Sequence, residues 1–146
     1  MFNEQVKQLS KPLEDVFAKA PALPSSAREL LVSVAPWISL IFGVLLVLVS
    51  LGGLGIGSVL APFALYAGVG NTMFLLVASL LGIVQGVVMV LAFAPLKKRA
   101  VAGWNWWFWA EVLSVVAAVV SFNWLGAVIN AVIGFYILFQ VKSYYK

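Results

Sequence analysis

Between Leu30 and Leu96 the chain carries no Asp, Glu, Lys, Arg or His. That run is too apolar for a soluble core and too long for one membrane span, which takes about 20 residues. The segment before it follows a different rule. Phe2, Val6, Leu9, Leu13, Val16 and Ala20 recur at spacings of four and three, which places them on one face of a helix. Glu4, Lys7, Lys11, Glu14, Asp15 and Lys19 fall mostly on the other side. Residues 1–20 therefore read as an amphipathic helix, kinked or broken near Pro12. Ser10 is placed to cap a restart at Lys11. Such an arm lies on a membrane surface or packs against its own chain.

Pro21 and Pro24 stiffen the link that follows, because Pro fixes its own φ and restricts the residue before it. Ser26-Ala-Arg-Glu29 has the form of a capping box in front of the apolar run, so a helix is expected to start there. Pro36 then kinks that helix or opens the true span. Four spans are expected, at about 36–52, 72–94, 104–121 and 125–141. Between the first two, Gly52, Gly53, Gly55, Gly57, Gly68 and Gly70 surround Pro62. Gly lowers helix stability by about 1 kcal/mol relative to Ala in water. Residues 53–70 accordingly read as an external interfacial or re-entrant segment. Phe122-Asn123-Trp124 leaves room only for a tight antiparallel turn between the last two spans. The expected fold is all-α: an integral membrane four-helix bundle with an N-terminal amphipathic helix. Residues 1–25 form a cytoplasmic arm and Pro linker, and 26–146 the transmembrane domain.

Composition agrees with a lipid solvent. Charged residues make up 10% of the chain, against roughly 25% in soluble domains. The basic residues cluster in the arm, in Lys97-Lys98-Arg99 and in the tail at Lys142 and Lys146. Cytoplasmic loops collect Lys and Arg. Both termini and the Lys97 loop are therefore assigned to the cytoplasmic side of a multi-pass cell-membrane protein. That placement accounts for the net charge of +4 without a nucleic-acid partner. Trp37, Trp104, Trp106, Trp107 and Trp109 are the expected interface anchors.

With no Cys and no His, the chain excludes thiolate catalysis, Cys/His zinc sites and Ser-His-Asp triads. The glycine string at 52–57 is neither a P-loop nor a dinucleotide fingerprint. No catalytic residue, metal site or cofactor is assigned. The chemistry that remains is one carboxyl inside a span, Glu111. A charge there is costly and normally faces the helical interior or water. Gln85, Asn130 and Ser114 are the other members of a candidate polar cluster. The alternative is that the cluster is interhelical glue, and that Glu111 is a protonated or hydrogen-bonded structural residue that snorkels inward or pairs with Lys97, Lys98 or Arg99. Gly82, Gly86, Gly126, Ala127, Ala131 and Gly134 form small-x-x-x-small patterns that let helices approach closely.

These features favour a non-enzymatic scaffold, assembly factor or accessory subunit. Its partners would be the lipid bilayer and a second copy or another membrane protein. An oligomeric transporter or channel using Glu111 with Gln85 and Asn130 is the alternative. A membrane-remodelling protein using the arm as a wedge is a third.

Overall fold

The computed structural model describes residues 2–67 and 71–146. Its helices are α1 (Phe2–Phe17), α2 (Ser25–Ala67), α3 (Asn71–Lys97), α4 (Val101–Val120) and α5 (Trp124–Val141), followed by a 3-10 turn at Lys142–Tyr144. No strand occurs among the described residues. Helices α2 to α5 pack in chain order, each on the next. Helix α1 lies across the end of this body where α4 begins and α5 finishes. Helices α2, α3 and α5 are long and apolar enough to cross a membrane. Helix α4 falls outside that group because Asn105, Glu111 and four tryptophans crowd its first half. The outward faces suit lipid: Phe42, Leu48, Val49, Leu80, Leu91, Leu125 and Val128 are all exposed.

The polar–apolar pattern places α3, α4 and α5 to within a few residues of their expected spans. It misplaces α2. That helix begins at Ser25, passes through Pro36 and continues through the glycines to Ala67. The expected external segment at 53–70 is therefore helical as far as residue 67, and Gly68–Gly70 lie outside the described residues. The reason is packing. A Cβ on Gly53 would lie 2.4 Å from Ser79 Oγ, and one on Gly57 would lie 2.8 Å from a Leu76 methyl. Gly53 and Gly57 are where α3 rests on α2, whereas Gly52 and Gly55 face open space, so a stretch that would fray alone in water is held by its neighbour along one side. At ~1.5 Å per residue the 43 residues of α2 span about 64 Å, roughly twice the ~30 Å hydrocarbon layer.

The arm also differs from expectation. Helix α1 is continuous through Pro12, and Ser10 Oγ donates to the Lys7 carbonyl at 3.4 Å instead of capping a new start. Val6 and Ser10 are buried against the body, and Leu13 and Phe17 pack on the same cluster. Phe17 stacks on Phe139 at 5.8 Å, and the Lys142 ammonium meets the Glu14 carboxylate. Between the arm and α2, Tyr136 Oη donates to the Pro21 carbonyl at 2.6 Å, and Leu23 N–H donates to Gln140 Oε1 at 3.1 Å. The Arg99 guanidinium bonds Glu29.

Two turns set the register of the helices. After α3, Ala100 N–H donates to Pro95 O and Arg99 N–H to Leu96 O. After α4, Asn123 N–H donates to Ala118 O and Phe122 N–H to Val119 O. Each set is the paired bonding of a Schellman motif, with its left-handed residue supplied by Arg99 (φ 52°) and Phe122 (φ 56°). Asn123 then caps α5 by accepting from Gly126 N–H at 3.0 Å.

Candidate functional site

The seam where α3, α4 and α5 meet holds all four polar candidates. Glu111 points from α4 at Gly134 of α5. A Cβ on Gly134 would lie 2.1 Å from Glu111 Oε1, so the carboxyl occupies the space that the glycine leaves. Oε1 is buried and has no hydrogen-bond partner. Glu111 and Gly134 border a cavity of about 170 Å³ whose other walls are Gln85, Met89, Trp107, Ala110, Ile137 and Leu138. About a turn farther from the arm, Asn130 Nδ2 donates to Ser114 Oγ at 2.6 Å. The predicted cluster is thus two neighbouring pairs: Glu111 with Gln85 at a cavity, and Ser114 with Asn130 in a direct hydrogen bond.

The ion partners expected for Glu111 are engaged elsewhere. Arg99 holds Glu29. The Lys97 ammonium lies over the rings of Trp37 and Phe93, at 5.4 and 5.8 Å from their centroids. Lys98 is exposed, and none of the ion pairs among the described residues includes Glu111.

The packing residues divide as well. Gly86 and Gly43 face each other so closely that a Cβ on Gly86 would lie 2.7 Å from the Gly43 carbonyl oxygen. Gly82 accommodates Ser50 in the same interface. Ser39 adds a hydrogen bond from its Oγ to the Met89 carbonyl at 2.6 Å. Gly126 makes room for its own capping Asn123, while Ala127 is buried and Ala131 packs against the core.

Of the expected anchors, Trp37 is half exposed and packs edge-on against Phe93. Trp104 is not an exposed anchor. It is 3% exposed, stacks on Phe108 and donates from Nε1 to the Leu138 carbonyl at 2.9 Å. Trp106, Trp107 and Trp109 are partly buried against the same cluster. A tryptophan-rich helix start can mark a headgroup layer or a core, and here α1 and α5 cover it.

A second concavity, of about 720 Å³, lies under the arm, where Lys7 and Glu14 face Trp104, Asn105, Lys142 and Tyr145. Burial pushes the Tyr145 phenol up from 10 to about 12, with Arg99 pulling the other way. Its Oη has no hydrogen-bond partner.

Sequence reasoning missed Gly134 as the seat of the Glu111 carboxyl, and Met89 and Trp107 as cavity walls. One signal was present for the first. Ser114 and Asn130 each lie eight residues from Phe122, and Glu111 and Gly134 are nearly as symmetric about that tight turn. No family model, curated protein or solved structure matches this chain.

Proposed function

We propose that this is a four-span membrane protein with both termini on the cytoplasmic side, and that it works without catalysis as a scaffold, assembly factor or accessory subunit. The observation that carries this reading is the folded-back arm. Glu14–Lys142, Glu29–Arg99 and Tyr136–Pro21 bind the arm, the linker and the helix ends together. Two of the chain's five acids, Glu14 and Glu29, are held in these contacts. Lys97, with Trp37 and Phe93 beside it, supports this reading, because positive-inside loops and interface aromatics have that composition. Helix α4 serves as the fourth span in this reading, with its less apolar first half shielded by α5 and the arm. The docked face of α1 weighs against a membrane wedge, because Val6, Leu13 and Phe17 are engaged by the body.

Reconstitution tests both parts. The chain has no Cys, so single cysteines at Ala20, Lys98 and Asn123 report sidedness in sealed vesicles. An impermeant maleimide is expected to reach Ala20 and Lys98 from one side and Asn123 from the other. Labelling of Ala20 and Lys98 from opposite sides would break the topology. In the same vesicles, H⁺, Na⁺, K⁺ and Cl⁻ flux is expected at background level for wild type and Glu111→Gln alike. Wild-type flux that Glu111→Gln abolishes would replace this reading with the transporter alternative.

A further inference from the structure

Glu111 poses a problem that the scaffold reading leaves open. A carboxyl removed from water takes a proton, or, to stay charged, needs a counter-charge or hydrogen bonds to its oxygens. Glu111 Oε1 has no hydrogen-bond partner and is pressed against Gly134. Of the basic groups at the arm end, Arg99 pairs with Glu29, Lys142 with Glu14, and Lys97 lies over two aromatic faces, while Lys98 is exposed and none of the ion pairs among the described residues includes Glu111. What the carboxyl does border is space. At ~30 Å³ per water, 170 Å³ holds about five waters, or one ion carrying a few carbon atoms.

The walls discriminate among occupants. A hard metal cation takes about six or more oxygen ligands; with one carboxyl and one side-chain amide in the walls, water would have to supply most of them beside apolar surface that contributes none. A neutral apolar molecule would leave the carboxyl without a partner. Trp107 supplies an aromatic ring, which attracts cations at its face. Met89, Ile137 and Leu138 supply apolar surface. Ligand sites commonly combine mostly apolar walls with a few placed polar groups.

We propose that the cavity between α3, α4 and α5 binds a small organic ammonium ion. Its charged nitrogen lies against Glu111 and Gln85, and its carbon body against Trp107, Met89 and Ile137. The ligand provides the counter-charge that the chain itself does not bring to Glu111. Gly134 keeps the carboxyl in place beside the cavity, since any side chain there would displace it.

The test is equilibrium dialysis of the full-length protein in detergent with radiolabelled ethylammonium, with ethanol as the uncharged control. Saturable ethylammonium binding is expected, with ethanol binding much weaker. Glu111→Gln keeps the shape and removes the charge, and should weaken binding about 10–100-fold, the range for losing a charged hydrogen bond. Gly134→Ala keeps the charge but moves the carboxyl, and should weaken binding as well. Circular dichroism checks that each variant is folded. If Glu111→Gln fails to fold, Gly134→Ala decides. The proposal is overturned if wild type binds no ethylammonium saturably, if ethanol binds as tightly, or if the folded variants bind like wild type. Binding without flux leaves the scaffold reading intact, whereas flux lost in Glu111→Gln would overturn that reading and keep this site.

Discussion

The two hairpins solve the same packing problem with different residues. Along α2 and α3 the backbones come close at Gly43 and Gly86, and Ser50, Gly53, Gly57, Ser79 and Gly82 continue the small-residue surface. Along α4 and α5 the contact is made by large rings: Phe108 meets Phe135 at 5.7 Å, and Trp104 meets Phe139 at 5.8 Å. In lipid, burying an apolar side chain between helices gains little, because the acyl chains are as apolar as Leu. Association then depends on close van der Waals fit and on polar contacts. The first hairpin reaches that fit by deleting side chains. The second does so by interlocking aromatics at its arm end, where the docked helix α1 packs on the same cluster. Where the second meets α3 it borders a cavity with a carboxyl in its wall.

The largest expected effect tests whether close approach is what holds α2 to α3. Gly86→Ala places a methyl 2.7 Å from the Gly43 carbonyl oxygen and near the Val47 backbone, so the helices must separate. Overpacking of this kind destabilises by about 1–3 kcal/mol. Gly52→Ala is the matched control, since a Cβ there meets nothing within 4 Å. It should leave the melting temperature in detergent unchanged or raise it, because Ala favours helix over Gly by about 1 kcal/mol in water. Equal losses for the two variants would mean that glycine matters here for its backbone and not for the space it leaves.

A smaller effect belongs to the arm end of α4 and α5. Tyr145 keeps its phenol neutral in the folded chain up to about pH 12, against 10 when unfolded. A raised acid pKa means the stabilisation is complete below pH 10 and is lost as pH rises through about 12. Solvent entering the groove under the arm reduces its size. Wild type should therefore lose stability over that window more steeply than Tyr145→Phe, which has no phenol to ionise. Parallel pH profiles of the two melting temperatures would remove Tyr145 as the cause.

The contrast between hairpins also explains what the chain's pattern revealed. Helix ends were legible to within a few residues where punctuation is strong: α3 runs through Pro95 and closes at Lys97, beside Lys98-Arg99, and Asn123 opens α5. The course of α2 beyond residue 52 was not legible. The glycine penalty is a property of an isolated helix, and only the register of α3 turns those glycines into contacts. Trp104 was misread for a related reason. Its burial is decided by α1 and α5, which lie far from it in sequence. The members of the polar cluster could be named from the sequence alone. Their division into a bonded pair and a cavity pair depends on the turn at Phe122 and Asn123.

The smallest effect separates hydrogen bonding from packing as the source of the difference. Among the described residues each hairpin has an interhelical side-chain bond of 2.6 Å, Ser39 Oγ to Met89 O in the first and Asn130 Nδ2 to Ser114 Oγ in the second, which also has Trp104 Nε1 to Leu138 O at 2.9 Å. Within membranes such bonds average about 0.6 kcal/mol, with values up to about 1.7. Ser39→Ala and Asn130→Ala should each reduce stability by about that average, and by similar amounts. In Ser114→Ala, the further change Asn130→Ala should add almost nothing, because the partner is already gone. A loss well above ~1.7 kcal/mol at Asn130 alone would place the second hairpin's cohesion in its polar seam. The aromatic interlock would then be secondary, and Glu111 would sit in a network whose members act together.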